Sequence, residues 1–326
     1  MRTRSIGSVG HLETARLRGR VCLLAALVVL VVLVPLGPLP AASAHPPGSF
    51  GVQCGFSHAS KDDPIVYPGV PGAAHRHGFY GNRSTDAHST RGSLLDAGTT
   101  CTDRKDLAAT WFPTAELRKG GVWRKATAYR ERTYYFRSVR ETLGTTQTVP
   151  KDLKLIGGNP HASSWRQNPA VSWFCGEGSP IRPWPYDCRP YTLPKEDGVR
   201  AIVAMPFCWD GESTDSSDHV SHVIYPNPSD RTPHTKPASC PESHPVNIPA
   251  ISIRAHFALK DPCAGATPCG PDSGGGKVRL RLSSGPFYTM HADFWNTWIQ
   301  KRLNFLHRSC LDAKKECGIL GVETDL

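Results

Sequence analysis

Short bursts of alternating hydrophobic and polar residues, separated by proline and glycine, run along most of the chain. Residues 278–283 alternate strictly: Val278, Leu280 and Leu282 face one way, and Lys277, Arg279 and Arg281 the other. That is the pattern of a strand with one wet face. Looser alternation or compact apolar bursts predict further strands at 50–56, 109–112, 152–157, 171–175, 199–207, 221–225 and 248–259. Residues 121–137, V-W-R-K-A-T-A-Y followed by T-Y-Y-F, predict a hairpin. The proline-rich stretch 180–194 predicts an irregular loop. Only one helix has the right period. Trp295, Trp298, Ile299, Arg302, Leu303, Leu306 and Cys310 recur at steps of three and four, with Asp293 as a candidate N-cap. The expectation is a mainly β, antiparallel β-sandwich or jelly-roll-like domain with long loops and one C-terminal amphipathic helix.

The N-terminus changes the picture of where this domain works. Arg2, Arg4, Arg16, Arg18 and Arg20 precede an apolar run at 21–34, prolines over 35–40, and Ala42-Ser43-Ala44. This predicts a signal peptide over 1–44 and one secreted domain over 45–326. The run is short of the roughly 20 residues of a membrane span, and an uncleaved N-terminal anchor is the alternative. Of eleven cysteines, one lies in the leader, and the even number left in an exported chain predicts disulfides. Pairing of sequential neighbours gives Cys54–Cys101, Cys175–Cys188, Cys208–Cys240, Cys263–Cys269 and Cys310–Cys317. No C-x-x-C pair suggests a cysteine zinc site. The formal charge is +10, and the leader holds five basic residues and one acidic, which leaves +6 on the rest. These charges are scattered. They point to a soluble monomer with at most weak affinity for an anionic wall polymer, and away from nucleic acid and, after cleavage, membrane.

Candidate chemistry concentrates in residues 57–82, rich in His, Asp, Pro and Gly. His75 and His77 form an H-x-H pair, which on a strand presents both imidazoles to one metal ion. His58 lies upstream. Asp62 before Asp63-Pro64 reads as a turn opener, and Asp63 as either turn or functional carboxylate. A second group, D-S-S-D-H-V-S-H, brings Asp215, Asp218, His219 and His222 within eight residues. It is either a site or a loop held by its own hydrogen bonds. A third is His291 with Asp293 at i+2. The metal candidates are His58, His75, His77 and His222, binding a divalent ion such as zinc or copper. Asp63, Asp218, His219 and His291 are the catalytic candidates. An N-terminal His45 after cleavage is a further, separate copper-chelating option. G-x-S-x-G, a free thiol and a phosphate-binding glycine loop are all missing, which argues against serine or cysteine nucleophiles and nucleotide chemistry.

These stretches together resemble the DUF1996 family of secreted actinobacterial and fungal proteins. The matching pieces include Phe56-Ser57-His58, Asp62-Asp63-Pro64, His75-x-His77, Phe79-x-Gly81-Asn82, Phe207-Cys208-Trp209-Asp210-Gly211, Asp218-His219-x-Ser221-His222 and His291-Ala292-Asp293-Phe294-Trp295-Asn296. Gly78 departs from the pattern, which would have an aspartate there. The resemblance implies one secreted domain and carries no established activity. Carbohydrate-binding modules in some fungal members imply a polysaccharide. Two readings follow: a His/Asp-site enzyme acting on extracellular or cell-wall polysaccharide, or a non-catalytic glycan-binding or wall-associated domain. The second would use Trp123, Tyr129, Tyr134 and Tyr135 as stacking residues unless they belong to the core.

Overall fold

The computed structural model describes residues 48–137, 146–176, 178–191, 193, 197–226, 240–264 and 277–321. The predicted leader, His45 and Cys269 lie outside them. Ten strands make the main sheet: β1 (Ser49–Ser60), β2 (His77–Gly81), β3 (Ala109–Pro113), β4 (Ala128–Phe136), β5 (Lys154–Gly158), β6 (Val171–Phe174), β7 (Arg200–Ala204), β8 (Ala250–Phe257), β9 (His291–Trp295) and β10 (Glu316–Leu320). Their order is β5-β9-β3-β2-β1-β4-β8-β7-β6, all antiparallel, and β10 adds to β1 in parallel.

The long first strand makes this one sheet behave as two layers. Residues Ser49 to Gly55 pair with β4, and Phe56 to Ser60 pair with β2 after a register shift. The sheet therefore folds across β1, and a strand from the far layer can meet one from the near layer. Tyr135 of β4 stacks on Phe50 at 4.6 Å and meets Phe294 of β9 edge-on at 6.4 Å. The Trp298 indole N–H donates to the Tyr135 hydroxyl at 3.0 Å. Beyond the core, the first strand of the order meets the last but one: a Cβ on Gly157 of β5 would lie 2.8 Å from the Ala204 carbonyl of β7. The result is the near-barrel antiparallel sandwich that the alternation predicts.

Four predicted disulfides are present: Cys54–Cys101, Cys175–Cys188, Cys208–Cys240 and Cys310–Cys317. Cys263 is disulfide-bonded, but the fifth expected pair extends outside the described residues. Among those residues no helix is long and apolar enough to cross a membrane.

Three local expectations are corrected. Residues 121–137 are not a hairpin. Val122–Ala126 pairs with Ala115–Lys119 across Gly120-Gly121, while β4 joins β1 and β8. The two glycines at positive φ make the real turn, one strand earlier than the aromatic content suggests. The C-terminal helix starts at Gln300, not after Asp293, and continues as a wider turn to Asp312. Asp293 is a strand residue. Finally, Tyr134 and Tyr135 are buried, so they are not surface stacking residues.

Gly158 closes β5 opposite His291 with φ +87°. A Cβ there would lie 2.7 Å from the Met290 carbonyl and 2.9 Å from the His291 Cα. Gly158→Ala is expected to lose about 2 kcal/mol or more, because both backbone conformation and space exclude the methyl group. A urea unfolding midpoint equal to that of the parent would contradict this.

Candidate metal centre

The site grows from the period of two along three neighbouring strands. On β2, His77 and Phe79 share a face. On β3, Ala109 and Trp111 do so, and on β9 His291, Asp293 and Trp295. In register, Phe79 lies opposite Trp111, and Trp111 opposite Asp293. This face points away from the main core. Ile65, Phe79, Leu94, Ala109, Trp111 and Trp295 form a second, smaller core on it. Residues 61–76 and the short helix α1 (Arg91–Leu95) cover that core. Thr90 and Ser93 close the helix start reciprocally, at 3.2 and 3.0 Å. Asn82 holds the cover down by donating to the Leu94 and Leu107 carbonyls at 2.7 and 2.9 Å.

At the end of this small core the face turns polar. His75, His77 and His291 offer ring nitrogens that all lie within 4.8 Å of one another. Asp63, His77 and Asp293 form a second such group, so His77 belongs to both. Ring centroids are 4.2 Å apart for His75 and His77, 4.9 Å for His75 and His291, and 5.8 Å for His77 and His291. His77 Nδ1 is paired with the Asp62 carbonyl at 3.0 Å, and His291 Nδ1 with the Thr289 carbonyl at 2.9 Å. Each carbonyl fixes the tautomer and leaves Nε2 as a lone-pair donor, the usual support of a metal-bound histidine. Asp63 accepts from the Ile65 and Val66 amides, both at 3.0 Å, through one oxygen.

Several of these groups are buried without a partner. Among the described residues, His75 Nε2, His77 Nε2 and Asp293 Oδ2 meet no hydrogen-bonding atom. His77 is 0% exposed and Asp293 1%. Leaving such atoms unsatisfied costs of order 1–3 kcal/mol each. The electrostatics agree. Burial, with the neighbouring His291 and His75, holds His77 well below the ordinary histidine value, and burial brings His291 down to about 3. Burial, then the charge of Asp63, pushes Asp293 well above the carboxylate range, and burial also raises Asp63. A divalent cation reverses these penalties: it needs neutral imidazoles, favours ionised carboxylates, and satisfies the bare atoms. Donors around an ion at 2.0–2.1 Å stand roughly 3.4 Å apart in tetrahedral geometry, so only small shifts would close the set.

The cluster opens into a cavity of about 380 Å³. Its walls include Asp63, His75, His291 and Asp293, with Val66 and Tyr67 from the covering segment, Asn159 to His161 after β5, and Asp218 to Val220. Thus Asp63, Asp218, His219 and His291, far apart in sequence, line one space.

Two predicted ligands lie elsewhere. His58 stacks on Phe79 at 4.7 Å, with Nδ1 on the Ser57 hydroxyl and Nε2 on the Thr85 carbonyl. His222 is similarly occupied by the Ser216 hydroxyl and the Lys154 carbonyl, at 3.0 and 2.7 Å. Both act as struts. Asp218 accepts from the Ser216 hydroxyl, which lowers its pKa most, and from the Val220 and Ser221 amides. It shapes the turn while facing the cavity. Of the stacking candidates still open, Trp123 sits between Arg118 and Arg281, and Tyr129 donates to Asp197 at 2.6 Å.

Sequence reasoning paired Asp293 with His291 but assigned it to a helix N-cap, and it did not single out His161 or Tyr67. The signal for Asp293 was present: H-A-D-F-W alternates with period two, as a strand would, so His291 and Asp293 share a face. For His161 and Tyr67 no local pattern stands out.

Residues 63–298 match the family described as "Domain of unknown function (DUF1996)". The chain belongs to the DUF1996 family. No curated protein and no solved structure matches it. The matched DUF1996 region contains every residue of the His/Asp cluster, from Asp63 to Asp293.

Proposed function

We propose that this DUF1996 protein is a secreted, metal-dependent hydrolase acting on an extracellular or cell-wall polysaccharide. The observation that carries the reading is the convergence of His75, His77 and His291, beside Asp63 and Asp293, on a cavity large enough for a sugar unit. Three neutral imidazoles with an open position are a catalytic zinc donor set, and copper suits the same nitrogens. The bound ion would supply an acidified water. The chain's own groups do the rest: the Asp62 and Thr289 carbonyls aim two of the imidazoles, and Asp63 and Asp293 balance the charge. Tyr67, 44% exposed and lining the cavity, offers a ring face for a sugar. The disulfides fit an oxidising extracellular setting.

The test is elemental analysis of purified protein, followed by incubation with a panel of insoluble wall and extracellular polysaccharides. Release is read as soluble sugar and free carboxylic acid. About one equivalent of zinc or copper per chain is expected, with release abolished by a chelator and restored by the metal. Metal-free protein with chelator-insensitive release defeats the reading. Tight adsorption to a polysaccharide with no release favours the non-catalytic binding domain instead.

A further inference from the structure

The turn beside the metal centre carries a second device. His219 lines the cavity shared with His75, His291, Asp63 and Asp293. Its Nδ1 is 2.8 Å from Asp215 Oδ1, and the other oxygen of Asp215 accepts from Lys154 Nζ at 2.8 Å. Lys154 is held in turn, 4.6 Å from the Trp295 ring centre, and Trp295 donates to Asp152 at 2.6 Å. The carboxylate is therefore fixed from both sides, and it fixes the imidazole. With Nδ1–H donating to Asp215, Nε2 is left as an acceptor with no protein partner among the described residues.

The backbone tells the same story. His219 has φ +62°, one of three non-glycine residues at positive φ among those described. Its own amide donates to the Ser216 carbonyl at 2.9 Å, and Asp218 caps the turn through the Val220 and Ser221 amides. A glycine would adopt this conformation without cost, whereas a side chain there is strained. The chain spends that strain on a residue whose ring reaches back to Asp215 and borders the cavity. A loop held only by its own hydrogen bonds needs no imidazole at this position.

We propose that His219, oriented by Asp215, is the proton-transferring residue of the hydrolytic site. This rests on the metal-dependent hydrolase reading above. His219 Nε2 takes a proton from the attacking water as the water oxygen bonds to the substrate carbon. It then delivers that proton to the leaving oxygen or nitrogen, whose bond to the same carbon breaks with the electron pair going to the leaving atom. Water is the only co-reactant, and His219 ends as it began. Asp215 touches neither substrate nor water; it is a positioning residue that sets the tautomer and stabilises the transient imidazolium.

His219→Gly is the decisive variant because glycine suits φ +62° and leaves an imidazole-sized space. It is assayed on the polysaccharide that the parent protein cleaves, with and without added imidazole, and its metal content is measured. The expected result is unchanged metal content, at least a roughly 100-fold fall in turnover, and recovery of at least tenfold with imidazole. Asp215→Asn, which retains shape, is expected to lower kcat at unchanged metal content and to gain nothing from imidazole. Turnover of His219→Gly within about threefold of the parent overturns the proposal, as does a loss that imidazole does not relieve. Failure of the underlying reading looks different: the parent then releases nothing from any polysaccharide, or His77→Ala retains full turnover.

Discussion

His77→Ala is expected to abolish metal binding and, with it, the thermal stabilisation that metal gives. His77 is the right residue to remove because it belongs to both candidate donor groups. Its Nε2 is buried and bare, and its Nδ1 is already committed to the Asp62 carbonyl. In the parent, a ligand that binds only the folded chain adds RT ln(1 + [L]/Kd), about 4 kcal/mol at a thousandfold excess over Kd. Chelated parent protein should therefore melt well below zinc-loaded protein. In His77→Ala the two melting curves should nearly coincide, with less than about a tenth of an equivalent of metal retained. The difference between loaded and chelated samples is the readout, since the absolute melting temperature also contains the cost of the deleted ring. His58→Ala is the matched control. Both of its nitrogens are bonded to protein, so the metal-induced shift should survive. A His77→Ala protein that still gains the full shift would show that the ion, if bound, sits elsewhere.

The contrast between His58 and His77 also shows how far the sequence could be read. Alternation revealed most strands and the wet face around Arg281, because burial on one side of a sheet imposes a period of two locally. The four described disulfides were legible because each joins neighbours in the cysteine order. The H-x-H pair was legible for the same local reason. What decides between ligand and strut is not local. His58 and His77 are both polar residues of adjacent strands near glycines. One meets the Thr85 carbonyl across 27 residues and the other faces His291, more than two hundred residues away. Asp293 was misread because an aspartate shortly before a helical period satisfies the capping rule equally well. Here β5 and β3 claim its backbone on both sides and extend the strand to Trp295. The hairpin error has a similar origin. Trp- and Tyr-rich segments have strand propensity, but propensity does not say which neighbour a strand will pair with.

Glu131→Gln is expected to make stability nearly independent of one proton that now governs it. Glu131 lies on β4 between Cys54 of β1 and Ala255 of β8, and it is 0% exposed. The Thr133 hydroxyl donates to one of its oxygens, and the other has no partner among the described residues. Burial pushes the carboxyl up to about 8, partly offset by that hydrogen bond. The folded chain therefore keeps this proton long after the unfolded chain, with its value near 4.5, has released it. The stability associated with the raised value is fully present below 4.5 and is lost as pH rises through about 8. The slope is about 1.4 kcal/mol per pH unit, and the whole interval is worth on the order of 5 kcal/mol. Buried histidines partly hide this in the raw curve. His256 and His291, lowered to about 3, contribute stability that is present above 6.5 and lost on acidification. Their slope opposes that of Glu131 below 6.5 and vanishes above it. The decline due to Glu131 should thus emerge between 6.5 and 8 in chelated parent protein. Subtracting parent from Glu131→Gln cancels the histidines, and urea unfolding across that range should show the variant gaining steadily on the parent. Asp106, also pushed well above its ordinary value by burial, feels the charge of Glu131, so the substitution should ease its ionisation too. A difference that stays flat with pH would mean that Glu131 ionises in the folded chain as readily as in water, which requires a cation or ordered water at its bare oxygen.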